Sequence, residues 1–149
     1  MSDLAEIDRV IRDFMGVFCN KDGAKPNLEL IHDLFIKDGL IIKNSGPVPE
    51  VFNLDQFIAP RRRILNDGTL AEFAEAEVCA RTEIYGNIAQ RVAIYEKSGL
   101  LSGQPFRARG VKTTQLVRTG DGWRISALAW DDEREGFRAP DELPGMPAR

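Results

Sequence analysis

The chain has 149 residues, 43% hydrophobic and 29% charged, the size and balance of one globular domain. Its net charge of −3 provides no basic footprint, so neither nucleic acid nor an anionic membrane is expected as a partner. No apolar run approaches the roughly twenty residues that span a bilayer, and Met1 to Glu6 lack the regions of a signal peptide; a cytoplasmic location is expected.

Cys19 and Cys79 are too few for a disulfide framework and too far apart for a metal pair, and are read as small buried apolar residues.

Leu4, Ile7, Ile11, Phe14 and Phe18 form one apolar stripe at helical spacing. Asp3 is the expected cap, with Glu6 completing a capping box, and the helix is expected to stop near Asn20 before Lys21-Asp22-Gly23. A shorter helix is expected after Pro26, capped by Asn27 and burying Leu28, Ile31, Leu34 and Phe35. It should end at Lys37-Asp38-Gly39, and Leu40-Ile41-Ile42 reads as the first strand. After a loop at Gly46-Pro47-Val48-Pro49, Asn53 and Gln56 mark another helix start, which Pro60 is expected to break or restart.

Past Asn66-Asp67-Gly68 the pattern changes to strands, near 70–85, 88–98, 106–119 and 122–132. Tight hairpins are expected at Gly86-Asn87 and Gly120-Asp121, with a longer loop over 98–105. Helices first and a meander after them predict a single α+β domain over 1–135, a cone whose helices close one face of a curved, mainly antiparallel sheet. Residues 136–149 read as a Pro-rich tail without a core pattern.

Pairing across Gly120-Asp121 places Thr113, Gln115, Val117, Ser126, Leu128 and Trp130 on one face of the sheet. Thr114, Leu116, Trp123, Ile125, Ala127 and Ala129 fall on the other. Both faces are substantially apolar and the helices cover one, so the other is expected to meet a second copy of the chain, forming a homodimer.

The first helix, the segment Leu34-Phe35-Ile36-Lys37-Asp38-Gly39 leading into a strand, and the late strand Gly122-Trp123-Arg124-Ile125 resemble the nuclear transport factor 2-like superfamily, in its SnoaL-like, ketosteroid-isomerase-like branch. The resemblance covers roughly residues 4 to 134 and implies a cystatin-like roll. It implies a range of functions: isomerases, dehydratases, cyclases, noncatalytic subunits and binding modules. Laid on the isomerase pattern, Leu34-Phe35-Ile36-Lys37-Asp38 puts Lys43 where the aspartate base stands, and an ordinary lysine is protonated at neutral pH. The dehydratases resembling this fold use histidine with aspartate and tyrosine; this chain has one histidine.

The candidate site residues each carry a bland alternative. His32 borders the apolar stripe and reads as a half-buried histidine, or as an acid or base with Asp38 as partner; Asp38 also reads as a turn former before Gly39. Tyr85 and Tyr95 are oxyanion donors or amphipathic strand residues. Pairing across Gly86-Asn87 sets Arg91 opposite Thr82 and Tyr95 opposite Val78, so Arg91 and Tyr95 share a face. On a concave face they would bind an acidic or carbonyl group; on a convex face they would belong to the dimer. Trp130 lies where a pocket would open, as core or as ligand wall.

Asp131-Asp132-Glu133 cannot converge on a metal from one strand, and Arg61-Arg62-Arg63 reads as a solvated helix face. No metal and no cofactor are expected. The resulting expectation is a pocket for a small hydrophobic carbonyl-type ligand, with or without cofactor-free isomerase, dehydratase or cyclase activity. The alternative is a noncatalytic accessory or interaction subunit that docks through its sheet face.

Overall fold

The computed structural model describes residues 1–143. Helix α1 (Asp3–Gly16) buries Ile7, Val10, Ile11, Phe14 and Met15. Its cap is Ser2, whose hydroxyl accepts from the Ala5 amide at 3.1 Å, rather than the expected Asp3. Asp3 and Glu6 instead reach across to the hairpin around Gly120-Asp121. Arg118 donates to both Asp3 carboxylate oxygens at 2.7 Å, and the Trp123 backbone amide donates to Glu6 at 2.6 Å. The helix stops at Gly16, short of Asn20. Asn20 is a clamp: its amide donates to the Leu65 and Leu70 carbonyls at 2.9 and 2.8 Å, and its oxygen accepts from the Phe73 amide at 2.7 Å.

The expected second helix is mostly absent. A 3-10 turn (Leu28–Leu30) leads into a four-residue helix α2 (Ile31–Leu34), and Asn27 makes no side-chain cap. Strand β1 (Phe35–Lys43) begins before Lys37-Asp38-Gly39, not after it. Phe35 is buried against Phe14, with ring centroids 5.5 Å apart, so core packing draws the segment into extended structure. A short β2 (Glu50–Phe52), unmarked in the sequence, pairs antiparallel with β1.

Helix α3 (Leu54–Asn66) starts with the expected capping box of Asn53 and Gln56, at 2.8 and 2.9 Å. It runs through Pro60 without breaking. Proline removes one helical hydrogen bond, but Phe57 and Ile58 before it and Leu65 after it are all anchored in the core.

Strands β3 (Leu70–Tyr85), β4 (Ile88–Leu101), β5 (Gln104–Thr119) and β6 (Gly122–Asp132) form the meander, in a six-stranded sheet ordered β2-β1-β6-β5-β4-β3. β1 lies parallel to β6 and the other pairs are antiparallel. The expected long loop over 98–105 is a two-residue turn at Ser102-Gly103, both at positive φ (49° and 81°), with Leu101 and Gln104 paired across it.

Two register shifts correct the expected pairing. Tyr95 stands opposite Glu77, not Val78, because the β3–β4 register shifts between Glu77 and Cys79. In β5–β6 the register shifts between Gln115 and Leu116, so Leu116 pairs with Ile125 but Thr114 pairs with Leu128. One extra residue reverses the alternation. Leu128 and Trp130 therefore join Trp123, Ile125, Leu116, Thr114 and Lys112 on the concave, helix-covered face, and Ala127 and Ala129 turn to the convex one.

The main core fills the cone with α1, β1, α3 and the concave face. A smaller cluster lies on the convex side, where Ala139 and Leu143 pack with Cys79 and Ile94. Ala139 and Leu143, in the expected featureless tail, thus bury their side chains on the sheet; residues 144–149 lie outside the described residues. Cys79 is buried and Cys19 only half-buried.

Candidate ligand cavity

Strand register determines which side chains meet inside the cone. One row across the concave face runs Lys43 (β1), Trp130 (β6), Lys112 (β5) and Ala93 (β4). The next row runs Asp132 (β6), Gly110 (β5), Tyr95 (β4) and Glu77 (β3). Phe14 from α1, Phe18 just past its end, and Phe57 and Arg61 from α3 face these rows and bound a cavity of about 590 Å³. That volume is within the range of small-molecule sites.

The floor of the cavity is aromatic. Phe57 meets Phe18 at 5.9 Å, Phe52 at 6.0 Å and Trp130 at 6.0 Å between centroids, all near edge-to-face. The polar wall is a chain of charged side chains. The buried Tyr95 phenol donates a short hydrogen bond to Asp132, whose Oδ1 lies 3.1 Å from Lys97 Nζ. Lys112, itself buried, lies 3.4 Å from Glu75 and sits over the Phe14 and Tyr95 rings at 5.4 and 5.1 Å. Burial, then the bond and charge of Asp132, push the Tyr95 pKa far up, so the phenol remains a proton donor at any physiological pH.

Arg61 stacks on Phe57 with its guanidinium carbon 3.7 Å from the ring centroid, and its Nη1 donates to the Phe57 carbonyl at 3.2 Å. Burial lowers its pKa to about 10, against a smaller opposing pull from Glu50. The Trp130 indole N–H is buried without an acceptor among the described residues.

Of the residues singled out by sequence, Trp130 and Lys43 line the cavity, and Tyr95 lies fully buried behind its wall, bonded to the lining Asp132. Arg91 is on the concave face as well, but under α1. Its guanidinium is held by Glu77 at 2.6 and 2.9 Å, Asp8 at 2.7 Å and Thr82 at 2.7 Å. Burial alone would lower its pKa; these carboxylates hold it above the ordinary value. Arg91 instead lines a wider, more open groove of about 880 Å³ between α1 and β3, alongside Asp8 and Glu77, its own ion-pair partners.

His32, Asp38 and Tyr85 stand outside the cavity. The His32 ring is exposed near Glu29 and Asp55, at 3.7 and 3.4 Å, and Asp38 is exposed on β1. Tyr85 is 65% exposed at the β3–β4 hairpin and donates to Glu83, not into the cone. Asp131 and Asp132 diverge as their alternation requires: Asp131 pairs with Arg134 and Asp132 turns inward.

Sequence reasoning missed Glu75, Lys97, Lys112 and Asp132, and it assigned Arg61 to solvent. The alternation of Tyr95 and Lys97 along β4 was the available signal for Lys97. The Asp132 signal was hidden by the register shift in β6.

No family model matches the sequence, and no curated protein matches it significantly. Solved structures do match. A protein of Kribbella flavida superposes with a TM-score of 0.73 at 20% identity, covering 89% of this chain and 91% of its own. A nuclear transport factor 2-like superfamily protein of Salmonella enterica gives 0.70 at 15% identity, covering 96% of each chain. A nuclear transport factor 2-like protein with a cystatin-like fold from Novosphingobium aromaticivorans gives 0.66 at 18% identity, covering 87% and 80%.

The fold is therefore that of the nuclear transport factor 2-like superfamily, a cystatin-like α+β cone, as the helix–strand order and the Gly122-Trp123 strand implied. At these identities the likeness defines the architecture. No helix among the described residues is long and apolar enough to cross a membrane.

Proposed function

We propose that the cone cavity binds a small hydrophobic carbonyl compound, in the manner of the SnoaL-like, ketosteroid-isomerase-like branch. The observation that carries this reading is the composition of the cavity: an aromatic floor with polar groups converging on it from α3, β1 and β6. Such a site buries an apolar body and orients a carbonyl through a few donors. Ligands from panels of aromatic ketones, hydroxy acids and steroids should raise the melting temperature. At a hundred times its dissociation constant a ligand adds about 2.7 kcal/mol to stability. An unchanged melting point across the panel would contradict the proposal.

The inward-facing Asp132 favours an enzymatic form of this reading. Of the two carboxylates in the row of Tyr95, Asp132 and Glu77, it is the one that lines the cavity, whereas the usual base position holds Lys43. In this form Asp132 takes a proton from the carbon next to the ligand carbonyl, the cations of the wall stabilise the enolate oxygen, and Asp132 returns the proton. Exchange of that hydrogen for solvent deuterium, lost in Asp132→Asn, would separate catalysis from binding. Retained exchange in Asp132→Asn would exclude this role.

The convex face supports a docking role in parallel. Ile42, Val92, Thr113, Gln115, Ala127 and Ala129 form a shallow surface there, which we assign to a second copy of the chain. Sedimentation should give a dimer; a monomer at micromolar concentration would contradict it.

A further inference from the structure

We propose that the ligand is an anion, a hydrophobic carboxylic acid whose carboxylate is held between Arg61 and Lys43 while its apolar body lies on the Phe57 and Trp130 rings. This inference rests on the cavity reading above and adds the ligand's charge.

The argument is one of charge compensation. Five cationic side chains line the cavity, Lys43, Arg61, Arg63, Lys97 and Lys112, against two carboxylates, Glu75 and Asp132. The chain as a whole carries a net charge of −3, so the excess is local and runs against the overall sign. Each carboxylate is already engaged: Asp132 by Lys97 at 3.1 Å and Glu75 by Lys112 at 3.4 Å. Arg63 turns toward Asp67 at 3.8 Å. Lys43 and Arg61 are left, and neither forms an ion pair among the described residues.

Both are placed for one task. Lys43 stands beside Trp130 in the strand register, and the Arg61 guanidinium lies 6.0 Å from the Trp130 ring centroid. Arg61 spends one donor on the Phe57 carbonyl and keeps the rest of its fork. Its lowered pKa has the same origin, a guanidinium drawn out of water with only distant help from Glu50. A carboxylate offers what this corner lacks: negative charge and lone pairs that a guanidinium can bind in parallel. A neutral ketone supplies acceptors but leaves two cations uncompensated.

The test compares 3-phenylpropanoate with its neutral isostere 3-phenylpropanamide, and 2-naphthylacetate with 2-naphthylacetamide, by titration calorimetry. The acids should bind about ten- to a hundredfold more tightly than the amides. That ratio should shrink in Arg61→Gln, the acid losing more affinity than the amide, and it should also fall as salt is raised. Lys43→Gln provides the same comparison if Arg61→Gln does not fold. Equal binding of acid and amide by the wild type would overturn the anion assignment and leave the cavity reading intact. Binding of neither pair, nor of any member of the broader panel, would overturn both.

Discussion

The Tyr95 phenol reaches Asp132, two strands away, by crossing the bare backbone of Gly110. The three residues occupy one row of the sheet, and a Cβ on Gly110 would sit 2.6 Å from the phenol ring carbon that bears the hydroxyl. The glycine is required here by close approach, not by its backbone angles. Gly110→Ala should therefore destabilise by about 1–3 kcal/mol through overpacking. The Asp131 carbonyl crowds the same position, so in a Tyr95→Leu background the substitution should lose only the part of the penalty set by the phenol, and a double-mutant cycle by urea unfolding measures that part. Additive effects would show that the alanine clashes with the strand backbone, not with the phenol.

Arg91 belongs to the architecture of the cone. Its side chain is 8% exposed and joins Asp8 of α1 to Glu77 of β3. Arg91→Met should destabilise by about 3 kcal/mol, because it leaves two carboxylates without their cation. Affinity of the folded variant for a cavity ligand should be unchanged. Denaturant unfolding and ligand titration on one preparation check both parts.

Asp3 gives stability a defined dependence on acid. Hydrogen bonds from Arg118 and then from the Trp123 indole hold its pKa at about 2, below the ordinary 3.8. A carboxyl with a depressed folded-state pKa stabilises fully above its unfolded value and loses that contribution as pH falls through the folded one. Stability should therefore decline between about pH 4 and pH 2 more steeply in the wild type than in Asp3→Asn. Chemical denaturation at a series of acid pH values reads the difference.

The segment over the convex face protects Cys79. Ala139 and Leu143 pack with Cys79 and Ile94, and Ala139 is tied by its amide to Glu133 at 2.8 Å. A chain ending at Gly136 should react faster with a thiol reagent at Cys79 than the full chain, with Cys19→Ser removing the other thiol. An unchanged rate would show that strand packing alone shields the sulfur.

The fold was legible in the sequence wherever a signal was local. Ile7, Ile11 and Phe14 of the α1 stripe, the Asn53 capping box, the hairpins at Gly86-Asn87 and Gly120-Asp121 and the four long strands stand in the structure, while Leu4 is exposed and Phe18 is buried just past the end of α1. The misplaced elements are those decided by tertiary packing. Phe35 pulls β1 forward into the core, and the anchoring of α3 on both sides of Pro60 overrides the proline. The site was less legible for a related reason. Strand alternation assigns a face only while the register is unbroken, and a single extra residue near Ser126 reversed the assignments of Ala127, Leu128, Ala129 and Trp130. Arg61 shows a second limit: three consecutive arginines look alike in sequence, yet the helix turns one of them inward onto Phe57 and leaves Arg62 and Arg63 exposed.

Occupancy of the cone can be read at the two tryptophans. The Trp130 indole lines the cavity and lacks an acceptor, whereas the Trp123 indole is buried elsewhere and donates to Asp3 at 3.2 Å. A nitrogen–proton correlation spectrum therefore shows one indole signal inside the cavity and one outside as internal control, assigned with Trp123→Phe. Titration with 2-naphthylacetate should move the Trp130 signal and leave the Trp123 signal in place. If the Trp130 signal stays fixed at saturating ligand, or the Trp123 signal moves alone, the cone is not the binding site.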